Sequence, residues 1–539
     1  MFRKHCHEVP KRGIGMPSSE TMAGQAARQQ IALGEDKSAH VAVIEGDGAL
    51  VLTHRLPTLI DCDVVVAGGG VAGLGAAVAS ARTGARTVLI ESNSFLGGTA
   101  TASMMSAIVA SPQAGGIGVE LLERLAMAGG APVWDGNPAR SETTPFDNET
   151  YKQVALDMIE EAGVEMLLSA VVVGPVLDEN SMRGVEVMTK SGLVAILARQ
   201  VVDCTGDADI AARAGAPMAK GREEDGAMRP FSLLFRVGGL DLYAMHEWAQ
   251  RNPDQIQPAF RDGTVLEVGN EKVLTRISGF YNLMEQAKKR GEIPDELHYF
   301  RLENCWMDRG IALINTTRIY GVDGTDARDI TRGEVLGRKQ IRQLMHFITN
   351  SLPGGRNAYM IDVAPKLGIR ETRRIVGQAS VRDEDVYRDT KVDAPIMTFT
   401  GNFPSLTEGK KAIDIHMPDP IEGSLRDPLE RDPASVKKEL HTFQIPYGAL
   451  LPQGIENLLV AGRTISVSHN VDGYTRNQVV AMRMGEVAGT AAALSIREGV
   501  TPRLLNYELL KARLAEGGMD DVHTAYTRKG AQPGAATAG

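Results

Sequence analysis

A glycine-rich turn between a short apolar run and an alanine-rich segment constrains this chain more than any other feature. The turn reads Gly68-x-Gly70-x-x-Gly73, follows the apolar residues 64–67 and opens a predicted helix over residues 74–83. Gly68 permits a tight turn, Gly70 lets the backbone approach a ligand, and Gly73 allows the helix to pack closely on the strand. The free N–H groups of the helix N-terminus then favour an anion. This arrangement predicts a unit that binds a dinucleotide pyrophosphate.

The second strand of this unit, predicted over residues 87–90, closes at Glu91, whose carboxylate can accept hydrogen bonds from an adenosine ribose. NAD and FAD share the fingerprint, so other parts of the chain must distinguish them. FAD extends through a ribityl chain to a three-ring flavin and needs more backbone contacts. Three further glycine-containing segments, 96–101, 202–207 and 460–463, can supply them. They favour FAD.

These segments also resemble the motifs of a known family. The matching stretches are a strand-GGGxAG opening at 66–73, LGGxAT at 96–101, DxTGDxD at 203–209 and NLLVAGRxIS at 457–466, with further similarity at 368–375 and 414–416. Over about residues 58–515 the chain resembles the FAD-dependent oxidoreductase family, in the superfamily that includes the fumarate reductase and glutathione reductase flavoproteins. The resemblance implies an α/β fold with a discontinuous Rossmann-like FAD-binding domain and an inserted α+β substrate domain.

A set of cofactor-binding residues follows from the resemblance and from one long predicted helix. That helix, residues 475–497, would direct its free N–H groups at the end of the flavin that gains negative charge. Arg476 and Asn477 would lie in its first turn, although Arg476 can equally be a solvated or ion-paired arginine. The expected FAD-binding residues are Gly68, Gly70, Val71, Ala72, Gly73, Glu91, Ser92, Gly97, Gly98, Thr99, Ala100, Thr101, Val172, Thr205, Gly206, Asp207, Gly462, Arg463, Arg476 and Asn477.

Composition shifts along the chain predict its domain organisation. A weakly patterned extension with two predicted strands, 41–44 and 49–53, precedes the glycine turn, and a polar, proline-containing block interrupts the later strands. The predicted parts are an N-terminal extension (1–57), a FAD-binding domain (58–110, 151–230 and 441–515), a substrate or cap domain (111–150 and 231–440) and a disordered tail (519–539).

Two histidines and a tyrosine are the candidate acid–base residues. Hydride removal from a substrate needs a base for the accompanying proton, and histidine suits this role near neutral pH. His469 follows the last glycine turn closely and His416 lies in a family-like motif, whereas Tyr474 is an alternative acid or base. Each histidine can instead be a structural residue that only binds loop backbone.

The segment 370–374 carries three arginines around one acid. If it were helical, Arg370 and Arg374 would share a face and could clamp a substrate carboxylate, with Arg373 nearby. The alternative is a network of interdomain ion pairs with Glu371 or neighbouring aspartates.

Charge and cysteine usage exclude several other classes. The net charge of −9 argues against a nucleic-acid partner, and the four separated cysteines support neither a metal site nor a redox dithiol. The long uncharged runs contain glycine, hydroxyl residues or proline, so we expect no membrane span. The N-terminus lacks the apolar core of a secretory signal, and a cytoplasmic location is the default. The oligomeric state is not readable from the sequence.

Three functions are compatible with these residues. The first is an FAD-dependent dehydrogenase or oxidase acting on a small molecule between the two domains. The second is a hydratase or isomerase that keeps FAD for structure, and the third is a flavin electron-relay subunit. A second G-x-G-x-x-G in a strand–turn–helix setting and a C-x4-C pair are both missing, which argues against disulfide-reductase chemistry. The Asp-Gly and Gly-Asp pairs typical of aromatic hydroxylases are also missing at the corresponding positions, which weakens monooxygenation.

Overall fold

A computed structural model describes residues 41–44, 50–53, 55–109, 116–133, 143–223, 225–257, 264–388, 390–404, 438–518 and 523–525. The chain divides into two compact units, residues 1–57 and 58–539. In the first unit, β1 (Val41–Ile44) and β2 (Leu50–Thr53) form an antiparallel hairpin, which confirms the two strands predicted there.

The central sheet of the second unit contains the predicted strand–turn–helix–strand. Its strands, in spatial order, are β7 (Glu165–Leu168), β4 (Thr87–Glu91), β3 (Thr58–Ala67), β10 (Gly192–Asp203), β9 (Ser181–Thr189) and β8 (Val171–Asp178), and β21 (Leu458–Val460) pairs with β10. The pairs from β7 to β10, and β10 with β21, are parallel, whereas β9 and β8 continue the sheet as an antiparallel meander. The parallel strands end at one edge of the sheet, so the turns that follow them lie together.

Helices cover this sheet and the second one described below. They are α1 (Val71–Arg82), α2 (Gly116–Met127), α3 (Asn148–Glu161), α4 (Asp209–Arg213), α5 (Leu242–Arg251), α6 (Tyr281–Lys289), α7 (Ala327–Ser351), α8 (Asp383–Tyr387), α9 (His469–Thr475), α10 (Gln478–Glu498) and α11 (Tyr507–Glu516).

The helices α1 and α10 are in backbone contact. A Cβ added at Gly485 would lie 1.9 Å from the carbonyl oxygen of Ala72, and one at Gly489 would lie 2.0 Å from that of Ala76. A Cβ at Gly75 would lie 2.4 Å from the carbonyl oxygen of Met482. Small residues of α1 therefore also permit close packing against another helix.

This contact accounts for the apolar composition of α10. Among the described residues, α10 is the one helix long and apolar enough to cross a membrane, and 94% of its most apolar window is buried inside the protein. A helix that is apolar all round and enclosed on every side is typical of a buried core element.

A second sheet, entirely antiparallel, has its own core. Its strands, in spatial order, are β13 (Val265–Val268), β14 (Glu271–Gly279), β15 (Phe300–Trp306), β16 (Ile311–Ile314), β12 (Phe235–Gly238) and β17 (Tyr359–Val363). The rings of Phe280 and Phe347 lie 6.0 and 5.5 Å from that of Phe300 and join this sheet to α6 and α7. These elements fall within residues 231–440, and their assignment to a separate substrate domain stays a prediction.

Short sheets complete the fold. They are β11 (Met218–Lys220) with β18 (Arg373–Ile375), β5 (Ala107–Val109) with β6 (Thr143–Pro145), and β20 (Lys438–Pro446) with β19 (Pro395–Pro404) and β22 (His523–Ala525). The strand β22 belongs to the stretch 519–539, which the composition predicts to be disordered. The rest of that stretch lies outside the described residues.

Candidate active site

The turn after β3 requires glycine at two positions. Gly68 has a φ of +102° and its N–H donates to the carbonyl oxygen of Ile90 at 2.8 Å. A Cβ on Gly68 would lie 2.5 Å from the carbonyl oxygen of Cys204, and one on Gly73 would lie 1.8 Å from that of Gly68. Both glycines therefore have the roles expected of them, a tight turn and close packing of α1.

The segment 96–101 folds back onto this turn. The N–H of Gly97 donates to the carbonyl oxygen of Gly69 at 2.9 Å, and a Cβ on Gly98 would lie 2.8 Å from the Cα of Gly70. A Cβ on Gly70, in contrast, would have no atom of the described residues closer than 3.8 Å. A Cβ at Gly70, beside the N-terminus of α1, would therefore make only an ordinary van der Waals contact with Gly98.

Glu91 orders the glycine turn from the next strand. Its carboxylate is buried and accepts hydrogen bonds from the N–H groups of Gly69 and Asn93, each at 2.7 Å. Ser92 Oγ donates to the same carboxylate at 3.1 Å. Among the described residues, one of the oxygens, Oε2, accepts only the Gly69 bond and retains capacity for a ribose hydroxyl.

Val172 lies beside the end of β4. The N–H of Ala170 donates to the carbonyl oxygen of Glu91 at 3.0 Å, and β8 starts at the next residue. Val172 is partly buried there and packs against the core of the sheet. Its predicted contact with the cofactor is compatible with this position.

A third group of predicted residues meets at the ends of β10 and β21. Thr205 donates through N–H and Oγ1 to Oδ1 of the buried Asp203, which holds the loop against β10. Arg463 Nη2 donates to Asp207 Oδ1 at 2.8 Å and lies 3.3 Å from where a Cβ on Gly206 would be.

The turn after β21 approaches α1 from the same edge of the sheet. Gly462 has a φ of +97°, and a Cβ there would lie 3.3 Å from the Cβ of Ala72. The predicted cofactor residues at four strand ends, β3, β4, β10 and β21, are thus brought to one edge of the sheet.

The long predicted helix 475–497 is wrong in its start. Two helices meet there, because α9 ends at Thr475 and α10 begins at Gln478. Arg476 and Asn477 form the connection, and they precede the first turn of α10 instead of lying in it. Gln478 Nε2 donates to the carbonyl oxygen of Met105 at 2.6 Å, so this helix start lies against the chain that follows residues 96–101.

The segment 369–374 is not helical, so the shared face predicted for Arg370 and Arg374 is absent. Its side chains make separate contacts along an extended path. Arg463 Nη1 donates to the carbonyl oxygen of Ile369 at 2.8 Å, and Arg373 forms an ion pair with Asp209 at 2.6 Å. The ion-pair alternative therefore describes Arg373 and, as shown next, Arg374.

His469 lies in a buried group of charged side chains, the Glu371 cluster, whose members are Arg229, Glu371, Arg374, His469 and Asp472. His469 is 3% exposed, and its Nδ1 lies 2.8 Å from Glu371 Oε1. Arg374 Nη1 donates to the same oxygen, and Arg229 Nε lies 3.7 Å from Asp472 Oδ2. Gly473 makes room for this cluster, since a Cβ there would lie 2.9 Å from Arg229 Nη2.

The two acids of this cluster have opposite pKa shifts. Burial raises the pKa of Glu371, but the hydrogen bond and charge of His469 and the charges of Arg374 and Arg229 together lower it below its usual value. Burial and the charge of Glu371 raise the pKa of Asp472. Glu371 is therefore ionised at neutral pH and acts as the counter-charge of two arginines.

The structure describes only one of the other two acid–base candidates, Tyr474 and His416. Tyr474 is a partly buried residue of α9 that packs against the core of the parallel sheet. His416 lies outside the described residues. The catalytic roles of both, and of His469, stay predictions.

Arg370 has different surroundings from its neighbours in sequence. Its Nη2 donates to Ser232 Oγ at 2.9 Å, and its Nη1 donates to the carbonyl oxygen of Pro230. Sequence reasoning missed the residues on the other side of Ser232, where Arg318 Nη1 donates to the same hydroxyl at 3.2 Å and Arg318 Nη2 donates to Tyr299. No spacing signal marks them, because Tyr299, Arg318 and Arg370 are far apart in the chain.

The three described cysteines are buried separately. Burial raises the pKa of the Cys62 thiol to about 12 and raises that of Cys204 well above its usual value. Both thiols are protonated at neutral pH and unsuited to act as nucleophiles. Within the described ranges, no three histidine, cysteine, aspartate or glutamate side chains are grouped to hold a metal ion.

A family model described as FAD dependent oxidoreductase matches residues 63–514. The chain belongs to this family. It is accordingly an FAD-dependent oxidoreductase with a Rossmann-like cofactor domain, as the motifs predicted. No curated protein matches the sequence.

Several solved structures show a distant similarity to this chain. A geranylgeranyl bacteriochlorophyll reductase-like protein of Thermoplasma acidophilum is 12% identical, with a TM-score of 0.40 over 85% of this chain and 84% of that one. The p-nitrophenol 4-monooxygenase of Pseudomonas putida is 13% identical, with a TM-score of 0.35 over 60% and 70%. GidA of Aquifex aeolicus is 15% identical, with a TM-score of 0.40 over 83% and 65%. At these scores none of them bears on the reaction.

The residues at the sheet edge fit FAD. The N-terminus of α1 has no side-chain cap, so the first-turn N–H groups from Val71 and Ala72 can face a pyrophosphate. Glu91 is placed for the ribose, and residues 97–101 and Gly462 for the rest of the molecule. The individual binding roles of these residues stay predictions.

Proposed function

We propose that this FAD-dependent enzyme is a dehydrogenase or oxidase that removes a hydride from a small organic substrate. The observation that carries the proposal is the path of residues 369–374. Ile369 is bound by Arg463 of the proposed cofactor site, and the next residue, Arg370, reaches Ser232 beside the antiparallel sheet. A polar segment therefore connects the proposed cofactor site with the antiparallel sheet, and we propose that the substrate binds beside it.

FAD, when bound, supplies a flavin that accepts a hydride. The chain must then take up the substrate's proton, and we propose that His469 does so. The Nδ1 of His469 lies 2.8 Å from Oε1 of the ionised Glu371, and this contact fixes the orientation of the imidazole ring. An imidazole that a carboxylate holds in place can accept a proton when it is in its neutral form.

A screen for substrate-driven bleaching of the flavin tests the proposal. The FAD-loaded protein is mixed anaerobically with alcohols, amines, sugars and carboxylic acids, and the flavin absorbance is followed before and after air is admitted. We expect bleaching by one class and recovery in the presence of an electron acceptor. Conversion of a compound without any bleaching would favour the hydratase or isomerase alternative.

A histidine variant tests the proton acceptor separately. We expect His469→Ala to slow flavin reduction at least tenfold with FAD content unchanged, and added imidazole to restore part of the rate. His346→Ala, which alters an exposed histidine of α7, is the matched control. Reduction at the parent rate in FAD-loaded His469→Ala would limit His469 to a structural role.

A further inference from the structure

The antiparallel sheet contributes buried arginines beside one tyrosine. Arg301 and Arg318 are each 4% exposed, and their guanidinium carbons lie 5.0 and 5.3 Å from the centre of the Tyr299 ring. Arg370 joins them from the segment 369–374. We call these three arginines and Tyr299 the arginine cluster.

Within this cluster, Arg318 and Arg370 meet at one hydroxyl group. Both guanidinium groups donate to Ser232 Oγ, at 3.2 and 2.9 Å. Their other hydrogen-bond partners are backbone carbonyls and the phenol of Tyr299, all of which are neutral groups. In the part of the chain that the structure describes, no carboxylate lies within 4 Å of either guanidinium. Two positive charges thus approach each other without an opposite charge between them.

The buried acid of the antiparallel sheet, Glu303, pairs with an arginine outside the arginine cluster. Glu303 forms an ion pair with Arg276 at 2.8 Å and accepts a hydrogen bond from Asn315 at 3.2 Å. Burial opposes its ionisation, but the charges of Arg276 and Arg301 lower its pKa below the usual value. Glu303 is therefore ionised, and its ion-pair partner is Arg276.

The unfavourable burial of these positive charges is reflected in the pKa of Arg370. Burial lowers its pKa well below the usual value, and the charges of Arg318 and Arg476 lower it further. A guanidinium group keeps its proton in proteins, so the protein bears an unfavourable charge there. A bound anion would relieve it, and a carboxylate fits the planar donor fork of arginine.

We infer that the substrate carries a carboxylate group that binds between Arg318 and Arg370. The inference rests on the proposed function, because it assigns the substrate class of that enzyme: a small organic acid. Arg370 is also the residue through which the cluster adjoins the proposed cofactor site. Binding of the carboxylate there would place the rest of the substrate toward that site.

Matched pairs of small acids and amides test the inference without requiring turnover. Succinate, benzoate and acetate are titrated into the FAD-loaded protein alongside succinamide, benzamide and acetamide. Binding is followed by calorimetry and by the change in the flavin spectrum. We expect at least one carboxylate to bind ten times more tightly than its amide. Equal binding within every pair would overturn the inference, and so would tight binding of inorganic phosphate with none of the carboxylates.

Arginine variants locate the site. Arg370→Gln should weaken the preferred carboxylate at least tenfold, Arg370→Lys should weaken it less, and Arg338→Gln on the exposed face of α7 should leave it unchanged. The partly exposed Arg370 is preferred to Arg318, whose burial makes misfolding a greater risk. FAD content is measured in each variant. Unchanged carboxylate affinity in Arg370→Gln, or loss of FAD in place of loss of carboxylate, would overturn the assignment.

The two proposals fail in different ways. Selective carboxylate binding without bleaching by any compound would leave this site standing and remove the dehydrogenase assignment. Bleaching by a neutral alcohol, amine or sugar, with no carboxylate bound by the protein, would support the dehydrogenase assignment and remove this one.

Discussion

Arg370 and Glu371 are neighbours in sequence but belong to two buried charged groups with different charge balance. In the Glu371 cluster, two arginines face one ionised glutamate, a histidine and a second acid, all hydrogen-bonded or in ion pairs. In the arginine cluster, Arg318 and Arg370 have only neutral partners among the described residues. Each arginine of the Glu371 cluster has an acid within ion-pair distance, whereas Arg318 and Arg370 leave a positive charge that an anionic ligand can complete.

The largest expected effect comes from breaking the Glu371 cluster. Glu371→Gln leaves Arg229 and Arg374 buried without their main counter-charge, and loss of one partner of a buried pair typically costs about 3–5 kcal/mol. The free energy of unfolding should fall by about that amount in urea denaturation of the full chain.

Arg370→Gln is the matched comparison for this measurement. It removes a charge that has no acidic partner, so we expect a change in unfolding free energy of less than about 1 kcal/mol, or a gain in stability. An equal loss of unfolding free energy in the two variants would show that the difference in charge balance does not affect stability.

A single buried acid in α10 offers a test of the same reasoning with a smaller effect. Glu486 is buried near Arg483, and burial raises its pKa from 4.5 to about 7. The folded protein then holds a proton that the unfolded chain releases between these values. The stability contribution of Glu486 is full below pH 4.5 and is lost as the pH rises through about 7.

The shift in Glu486 corresponds to about 3 kcal/mol, at 1.4 kcal/mol per pKa unit. Glu486→Gln should therefore be more stable than the parent at pH 8 and lose this difference in acid, as measured by urea denaturation across pH. Glu498→Gln, at the exposed end of the same helix, is the control. A constant difference between Glu486→Gln and the parent at every pH would contradict the assigned shift.

The cofactor region was readable from the sequence because its constraints act on the backbone. Gly68 and Gly73 have no room for a Cβ, so the fold requires glycine at both positions. This pattern can be recognised in the sequence without the tertiary structure. The predicted helix 475–497 failed in the same region because the signal for a new start, Asn477 as the N-cap of α10, is weak on its own. Residues 475–477 lack the glycine or proline that usually punctuates a helix.

The arginine cluster was not readable for the opposite reason. Tyr299 and Arg318 are 19 residues apart, and Arg370 reaches Ser232 across 138 residues, so only the folded antiparallel sheet brings them together. Each arginine alone is an ordinary surface residue by type. The sequence identified Arg370 as a possible carboxylate ligand on the assumption of a helix over residues 370–374, and the structure has no helix there. The proposed carboxylate site depends on Arg318, Ser232 and Tyr299, which the sequence did not connect with Arg370.

The smallest expected effect is a pH dependence of carboxylate binding. Burial would raise the pKa of Tyr299, but the charges of Arg301 and Arg318 and a hydrogen bond from Arg318 lower it below its usual value. As the pH rises through this lowered pKa, the phenolate supplies a negative charge that competes with the bound acid. Carboxylate affinity should therefore fall with rising alkaline pH, by up to about tenfold, which is about 1.4 kcal/mol.

The parent and Tyr299→Phe are compared by calorimetry, with the ultraviolet absorbance of tyrosinate followed in parallel. Tyr299→Phe retains Arg301, Arg318, Arg370 and Glu303 and should keep its affinity over the same pH range. An equal fall in both proteins would assign the titration to another group and leave Tyr299 a neutral partner of Arg318.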